Sequence, residues 1–287
     1  MKSVRALSTL ALALYLVVAI ADAQPAPYYR VFRGYRRADV PADRFPNILA
    51  DRFIPAAPAT HQRNGLIAYV PALPQAGLPA GTPDEIAIVV YESEEAYRAA
   101  RQTPEGQAYA ALHWEFFEEP APQTGAVPGK RTRSDTARPF ARELEADQPV
   151  DVYNRFVDWQ AGYTAVFVGA RRPEVAPESF ASEVGRHVAM VRDAFGPRGM
   201  DGYIVVVHTD PVNRTMHEIA FIHWPSREAA EAALATPEGE SVRADAARLM
   251  DIQMWQEAPT FAGAIAYGQA VNVKFTPRPR PVARARP

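Results

Sequence analysis

The residues that could carry chemistry are histidines, paired arginines and aromatics. His187 precedes Val188 in a stretch with helical apolar spacing, so its imidazole should point from a helix toward a sheet. A ring placed there can act as a general base or bind a ligand, because imidazole titrates near neutral pH. The plainer outcome is a buried ring bonded to a backbone carbonyl. His217 and His223 lie six residues apart on one expected strand, on the same face but about 20 Å apart at ~3.3 Å per residue. That spacing excludes a shared metal ion. His208 and His217 flank a turn with no carboxylate to complete a site, and no metal site is expected. His223 ends an apolar strand beside Trp224 and is the second candidate. Arg36-Arg37 and Arg171-Arg172 close strands, where a guanidinium can hold a carboxylate or an enolate. A solvated strand end, or an ion pair with Asp39 or Glu174, is the simpler reading. His187, His223 and Arg171 thus form the candidate catalytic set. Phe180, Tyr203, Trp224 and Trp255 are the candidate substrate-binding surface, although core packing uses the same residue types.

Other chemistries are excluded. With no cysteine there is no disulfide, thiolate metal site or cysteine nucleophile. No phosphate-binding glycine loop, nucleophile elbow or paired-carboxylate motif is present. A net charge of -2 gives no electrostatic reason to expect nucleic acid as a partner. Lys2 and Arg5, the apolar run Ala6 to Ile20, and Ala21-Asp22-Ala23 read as a secretory signal with its cleavage site. The run is short for a membrane-spanning helix of ~20 residues, so a periplasmic or secreted protein without a membrane span after cleavage is expected. Thr276 to Pro287 alternates proline with arginine and has nothing to bury; it should be a flexible tail.

The elements that must position these residues occur twice. Residues 85–106 (EIAIVVYESEEAYRAARQTPEG) and 218–239 (EIAFIHWPSREAAEAALATPEG) share 12 of 22 positions without a gap. Upstream, residues 31–45 and 166–180 share 7 of 15. The offsets are 135 residues in the upstream block and 133 in the other. Each copy begins with a β-rich strand (Tyr29 to Arg36, Tyr163 to Arg171) and then a helix. In the second copy that helix opens at Pro177, stops at Gly196-Pro197, and carries the stripe Phe180, Val184, Val188, Val191, Phe195. Two strands follow, then a helix capped by Ser93 or Ser226. Thr103-Pro104 and Thr236-Pro237 end it and start another, with Glu105 and Glu238 as helix-start carboxylates. A last strand is expected over His113 to Glu119 and over Ile252 to Glu257. The order β-α-β-β-α-β is the ferredoxin-like unit. One such sheet leaves a face uncovered, so the two units are expected to pack sheet to sheet. The fold class is therefore α+β: two tandem ferredoxin-like repeats forming an intrachain dimeric α+β barrel. The segments are 1–23 signal, 24–120 first repeat, 121–150 linker, 151–275 second repeat and 276–287 tail.

The motifs AARQTPEGQAYA (99–110) and AALATPEGESVRADAARL (232–249), with Arg171-Arg172, Glu178-Ser179-Phe180 and His187-Val188-Ala189-Met190-Val191, resemble the EthD-like branch of the dimeric α+β barrel superfamily. Two departures stand out. His187 follows Phe180 by seven residues where the family pattern has eight, and Ala189 replaces a proline. In the first copy Phe53-Ile54-Pro55 follows Phe45 at eight residues, with no histidine. The resemblance implies binding, and modification, of small apolar or aromatic molecules without a nucleotide cofactor. The second repeat, which keeps the histidine, is the expected site. A non-catalytic binding barrel is the alternative; haem held by His187, as in distant relatives, is the third reading. A monomer or a dimer of the fused barrel fits equally.

Overall fold

The computed structural model describes residues 26–74, 82–119, 132–208, 217–258 and 265–275, with backbone only at 253–255. The expected signal and tail lie outside these residues. In the first half, strand β1 (Tyr28–Gly34) leads to α1 (Phe45–Ile48), a π-helical turn at Leu49–Phe53 and α2 (Ile54–His61). Strands β2 (Leu66–Leu73) and β3 (Glu85–Tyr91) follow, then helices α3 (Glu94–Gln102) and α4 (Pro104–Phe116). Short strands β4 (Arg133–Thr136), β5 (Arg138–Pro139) and β6 (Val150–Asp151) lie between the halves. The second half runs β7 (Tyr163–Arg171), α5 (Pro177–Phe195), β8 (Gly202–Val207), β9 (Glu218–Trp224), α6 (Arg227–Leu234), α7 (Pro237–Leu249), β10 (Met250–Ala258) and β11 (Gln269–Ala270).

The two halves share one strand order, β4-β1-β3-β2 and β10-β7-β9-β8. Their registers agree at the offsets read from the sequence: Tyr28 faces Tyr91 and Gly34 faces Glu85, as Tyr163 faces Trp224 and Gly169 faces Glu218. Local chemistry sets the helix starts. The Ser93 and Ser226 hydroxyls accept from Ala96 and Ala229 N–H, and the Thr103 and Thr236 hydroxyls from Gly106 and Gly239 N–H. Glycine is required at these last two positions, because a Cβ would lie 2.0 Å from the Ala100 carbonyl oxygen or 2.5 Å from that of Ala233.

Alternation along each strand divides the apolar residues between two faces. Val31, Val70 and Ile88 meet Val166, Ile204 and Phe221 in a core between the sheets. Phe32, Tyr69 and Tyr91 face the first helical layer, and Phe167, Tyr203 and Trp224 the second. The result is helix–sheet–sheet–helix, the intrachain α+β barrel. Short strands fill its seams: β11 extends the first sheet beside β10, and β6 and β5 extend the second.

The first half departs from expectation at its fourth strand. His113 to Phe116 continue α4, a run containing alanine and leucine with no breaker before Phe117. Only Phe117 bridges Arg36, as Met250 pairs Arg171. The strand resumes with Arg133 opposite Arg33, the place of Met254 opposite Val168. Residues 133–136, inside the stretch read as a linker, therefore close the first sheet.

Candidate functional site

The first helical layer does not close completely on its sheet. A cavity of about 230 Å³ lies between them, walled by β1, β2 and β3, by helices α2, α3 and α4, and by the start of β4. The π turn shapes this wall. It accommodates one residue more than α5 has, and Pro55, which has no N–H to donate, follows at once. Beyond the turn the offset between the halves falls to 134, so His61 corresponds to Phe195 and Gly65 to Gly199, both glycines at positive φ after a 3-10 turn. Phe53 then stacks on Tyr109 at 5.4 Å and meets His113 edge-on at 4.6 Å.

Two histidines line the cavity. His61 is 2% exposed, contacts the Tyr109 and Tyr91 rings at 5.0 and 6.1 Å, and has an Nδ1 with no hydrogen-bond partner. His113 donates from Nδ1 to the Tyr109 carbonyl at 2.8 Å, which leaves Nε2 as a bare acceptor in the neutral ring. Burial lowers both to about 4, and the Arg101 charge adds to the effect. Both rings are therefore neutral at pH 7. Tyr69, a third lining residue, donates its hydroxyl to Glu85 at 2.6 Å. Glu85 is fully buried, its second oxygen is unpartnered, and burial pushes it up to about 8. Its counterpart Glu218 is also raised to about 8 by burial, with neither oxygen bonded.

None of the residues anticipated in the second half lines this cavity. His187 is 3% exposed and donates from Nδ1 to Asp245 at 2.9 Å, joining α5 to α7. Burial lowers its proton affinity against the pull of Asp245. Both nitrogens of His223 face protein acceptors, Asp201 at 2.6 Å and the Ala161 carbonyl at 2.7 Å, so neither is turned toward open space. Arg171 donates to the Arg172 and Val175 carbonyls, and Arg36 holds Arg37 and Val40 in the same way: both tie down the turn after their strand. Arg37 pairs with Asp39 as expected, whereas Arg172 pairs with Asp251 instead of Glu174. Phe180, Tyr203 and Trp224 are each 1% exposed in the helix-side core; the side chain of Trp255 lies outside the described residues. The structure thus brings Phe180, Tyr203 and Trp224 together as packing and leaves His187, His223 and Arg171 apart.

The α5–α7 contact is the more extensive, as the 19 residues of α5 against the 8 of α2 require, and the side chains facing it differ between the halves. Where the second half has Ala230, Val242, Ala246 and Ala247, the first has Tyr97, Tyr109, His113 and Trp114. These larger side chains line the first-half cavity. Among the described residues no three His, Asp or Glu side chains group as a metal site, and no helix is long and apolar enough to cross a membrane.

No protein-family model matches the chain, and no curated protein matches it. Among solved structures it is similar to a candidate monooxygenase of Lactobacillus acidophilus (11% identity, 87% of this chain and 100% of that one, TM-score 0.42). It is similar to a candidate monooxygenase of Fusobacterium nucleatum (10%, 84% and 97%, TM-score 0.40). A third is a heme-binding protein of Thermus thermophilus (9%, 80% and 89%, TM-score 0.34). At such distances these likenesses bear on no residue's role.

Proposed function

We propose that this chain is an exported small-molecule-binding α+β barrel, whose ligand, a compact aromatic or largely apolar compound of one or two rings, occupies the first-half cavity. One observation carries the reading: a cavity walled by aromatic rings is lined by His61, whose Nδ1 is buried without a protein partner. A buried polar atom without a partner costs about 1–3 kcal/mol, and a bound hydroxyl or carbonyl would relieve that cost. At about 230 Å³ the cavity is smaller than the ~300–1,000 Å³ that hold drug-sized ligands. The neutral histidines favour recognition over proton abstraction, since a general base works best with a pKa near the working pH. The burial of His187, 3% exposed between α5 and α7, favours the apolar-ligand reading over haem held by that ring. The basic, apolar and small-residue order of residues 1–23 supports delivery to the periplasm or beyond. The matching offsets support an origin by duplication of an EthD-like unit.

A native mass spectrum of protein taken from its own host should show a retained one- or two-ring compound. A panel of such compounds should bind the wild type and bind His61→Phe at least about tenfold more weakly. Failure of every compound of this size to bind defeats the proposal, and release of an altered compound would make the site catalytic.

A further inference from the structure

We propose that the ligand of this cavity is an anion, an aromatic acid whose ionised group is held by Arg101 with Arg30. The inference rests on the cavity reading above and adds the charge of the ligand. The cavity is lined by Arg30, Arg101 and Arg133, and among the described residues no aspartate or glutamate is in its lining. Arg133 pairs with Asp135 at 2.8 Å, which it shares with Arg33, and lies 4.0 Å from Asp147. Arg30 is fixed by neutral groups, donating to the Thr136 hydroxyl at 2.7 Å and to Ser134, with its guanidinium 5.1 Å from the centre of the Tyr97 ring. Neither Arg30 nor Arg101 pairs with a carboxylate among the described residues.

The cationic surplus is local, since the whole chain carries a net charge of -2. It also coincides with the cavity. In the second half, where packing fills the equivalent space, Ala165 stands for Arg30 and Leu234 for Arg101. Burial keeps the Tyr91 hydroxyl protonated, and the Arg101 and Arg30 charges both act against it there, so both lie within electrostatic reach of that one hydroxyl. Arg30 is half-buried and Arg101 exposed, so the pair lies where the cavity wall meets solvent. Glu85, behind Tyr69, does not neutralise them, because burial keeps it protonated up to about pH 8. An aromatic-walled space with one sign of charge at its edge concentrates the opposite sign, and guanidinium groups match a carboxylate in shape and hydrogen bonding. The rings hold the body of the ligand and the arginines its charged end.

The test measures binding of 2-naphthoate and of its uncharged near-isostere 2-naphthamide to the full chain at low salt and pH 7, with benzoate and benzamide as the smaller pair. The acid of one pair should bind at least about tenfold tighter than its amide. Arg101→Leu should remove most of that preference while changing amide binding less than about twofold. Because Arg101 is exposed and unpaired, the variant should melt like the wild type. Equal affinity of acid and amide overturns the charge assignment but leaves the cavity reading standing. A preference that persists in the Arg101→Leu, Arg30→Ala double variant overturns it as well. If neither acid nor amide of either pair binds, the cavity reading falls and the charge assignment goes with it.

Discussion

His61 occupies the position of Phe195 in the second half, and the exchange isolates what a single polar ring does in an otherwise apolar layer. His61→Phe removes a buried donor or acceptor that has no protein partner. Urea unfolding at pH 7 should show a gain of about 1 kcal/mol, together with weaker ligand binding. The pH dependence has a defined sign. The folded-state value of about 4 lies below the ~6.5 of an unfolded histidine. As pH falls from about 6.5 to about 4 the unfolded chain binds the proton and the folded chain does not, so stability drops through that window. His113 and His217, also held at about 4 chiefly by burial, act in the same direction. The variant should therefore flatten the acid side of the profile without abolishing it, and an unchanged slope would contradict the burial of a neutral ring. Neither cavity histidine stood out in the sequence. The one histidine near the family spacing is His187, which points to the other half. The signal lay in the differences between aligned copies: His61, Tyr97, Arg101 and His113 against Phe195, Ala230, Leu234 and Ala246. Which of these sides faced open space depended on how closely the helices packed, and that is not written at any single position.

Capping chemistry made most helices readable. Serine or threonine before an acidic first turn, and proline at the first helical residue, fixed the starts of α3, α4, α6 and α7. Two elements were hidden. The extra residue between Phe45 and Ile54 showed only as a spacing of eight against seven, and its absorption as a π turn is a matter of hydrogen-bond geometry. Deleting exposed Asp51 should convert this helix to the regular spacing of α5, leaving the circular-dichroism spectrum near wild type. Phe53 would then leave Tyr109 and His113, and ligand affinity should fall about tenfold or more; retained affinity would show that the turn does not shape the site. The other hidden feature is the buried acid that opens β3 and β9. Glu85 and Glu218 begin both EIA repeats, and nothing in that motif marks the carboxyl as buried. Glu218, raised to about 8 from 4.5, binds a proton in the folded chain that the unfolded chain has already lost. Stability from it is complete below about pH 4.5 and disappears as pH rises through about 8. Glu218→Gln should therefore stabilise the protein more at pH 8 than at pH 5 in paired denaturant titrations. Equal effects at the two values would place an unmapped cation beside the carboxylate.

Across the whole molecule, the sequence repeat made the layer order legible: a four-stranded unit with one bare apolar face has to cover it, and a matching face on the same chain is available. The seams were less legible, because β5, β6 and β11 are only two residues long and take their place from neighbours. The segment entering the second half is built into the shared core. Trp159, 1% exposed, packs between the sheets, donates from Nε1 to the Tyr29 hydroxyl at 3.1 Å and meets that ring edge-on at 6.2 Å. At the rim, buried Arg33 of β1 pairs with Asp135 and touches His208 at 3.0 Å, and His208 is held by Asp147 at 2.8 Å. Each half therefore completes the other's interior, and neither has a finished surface alone. Thermal unfolding followed by far- and near-ultraviolet circular dichroism should give one coincident transition for both signals. Trp159→Ala leaves a cavity touching both sheets and should cost about 3–5 kcal/mol, lowering the midpoint by roughly 10 °C for a chain of this size. The shifted transition should remain single, because the lost contacts belong to both halves at once. If the variant instead unfolds in two steps, with one sheet persisting after the other has melted, the halves are independent domains and the inter-sheet core is not what makes them fold together.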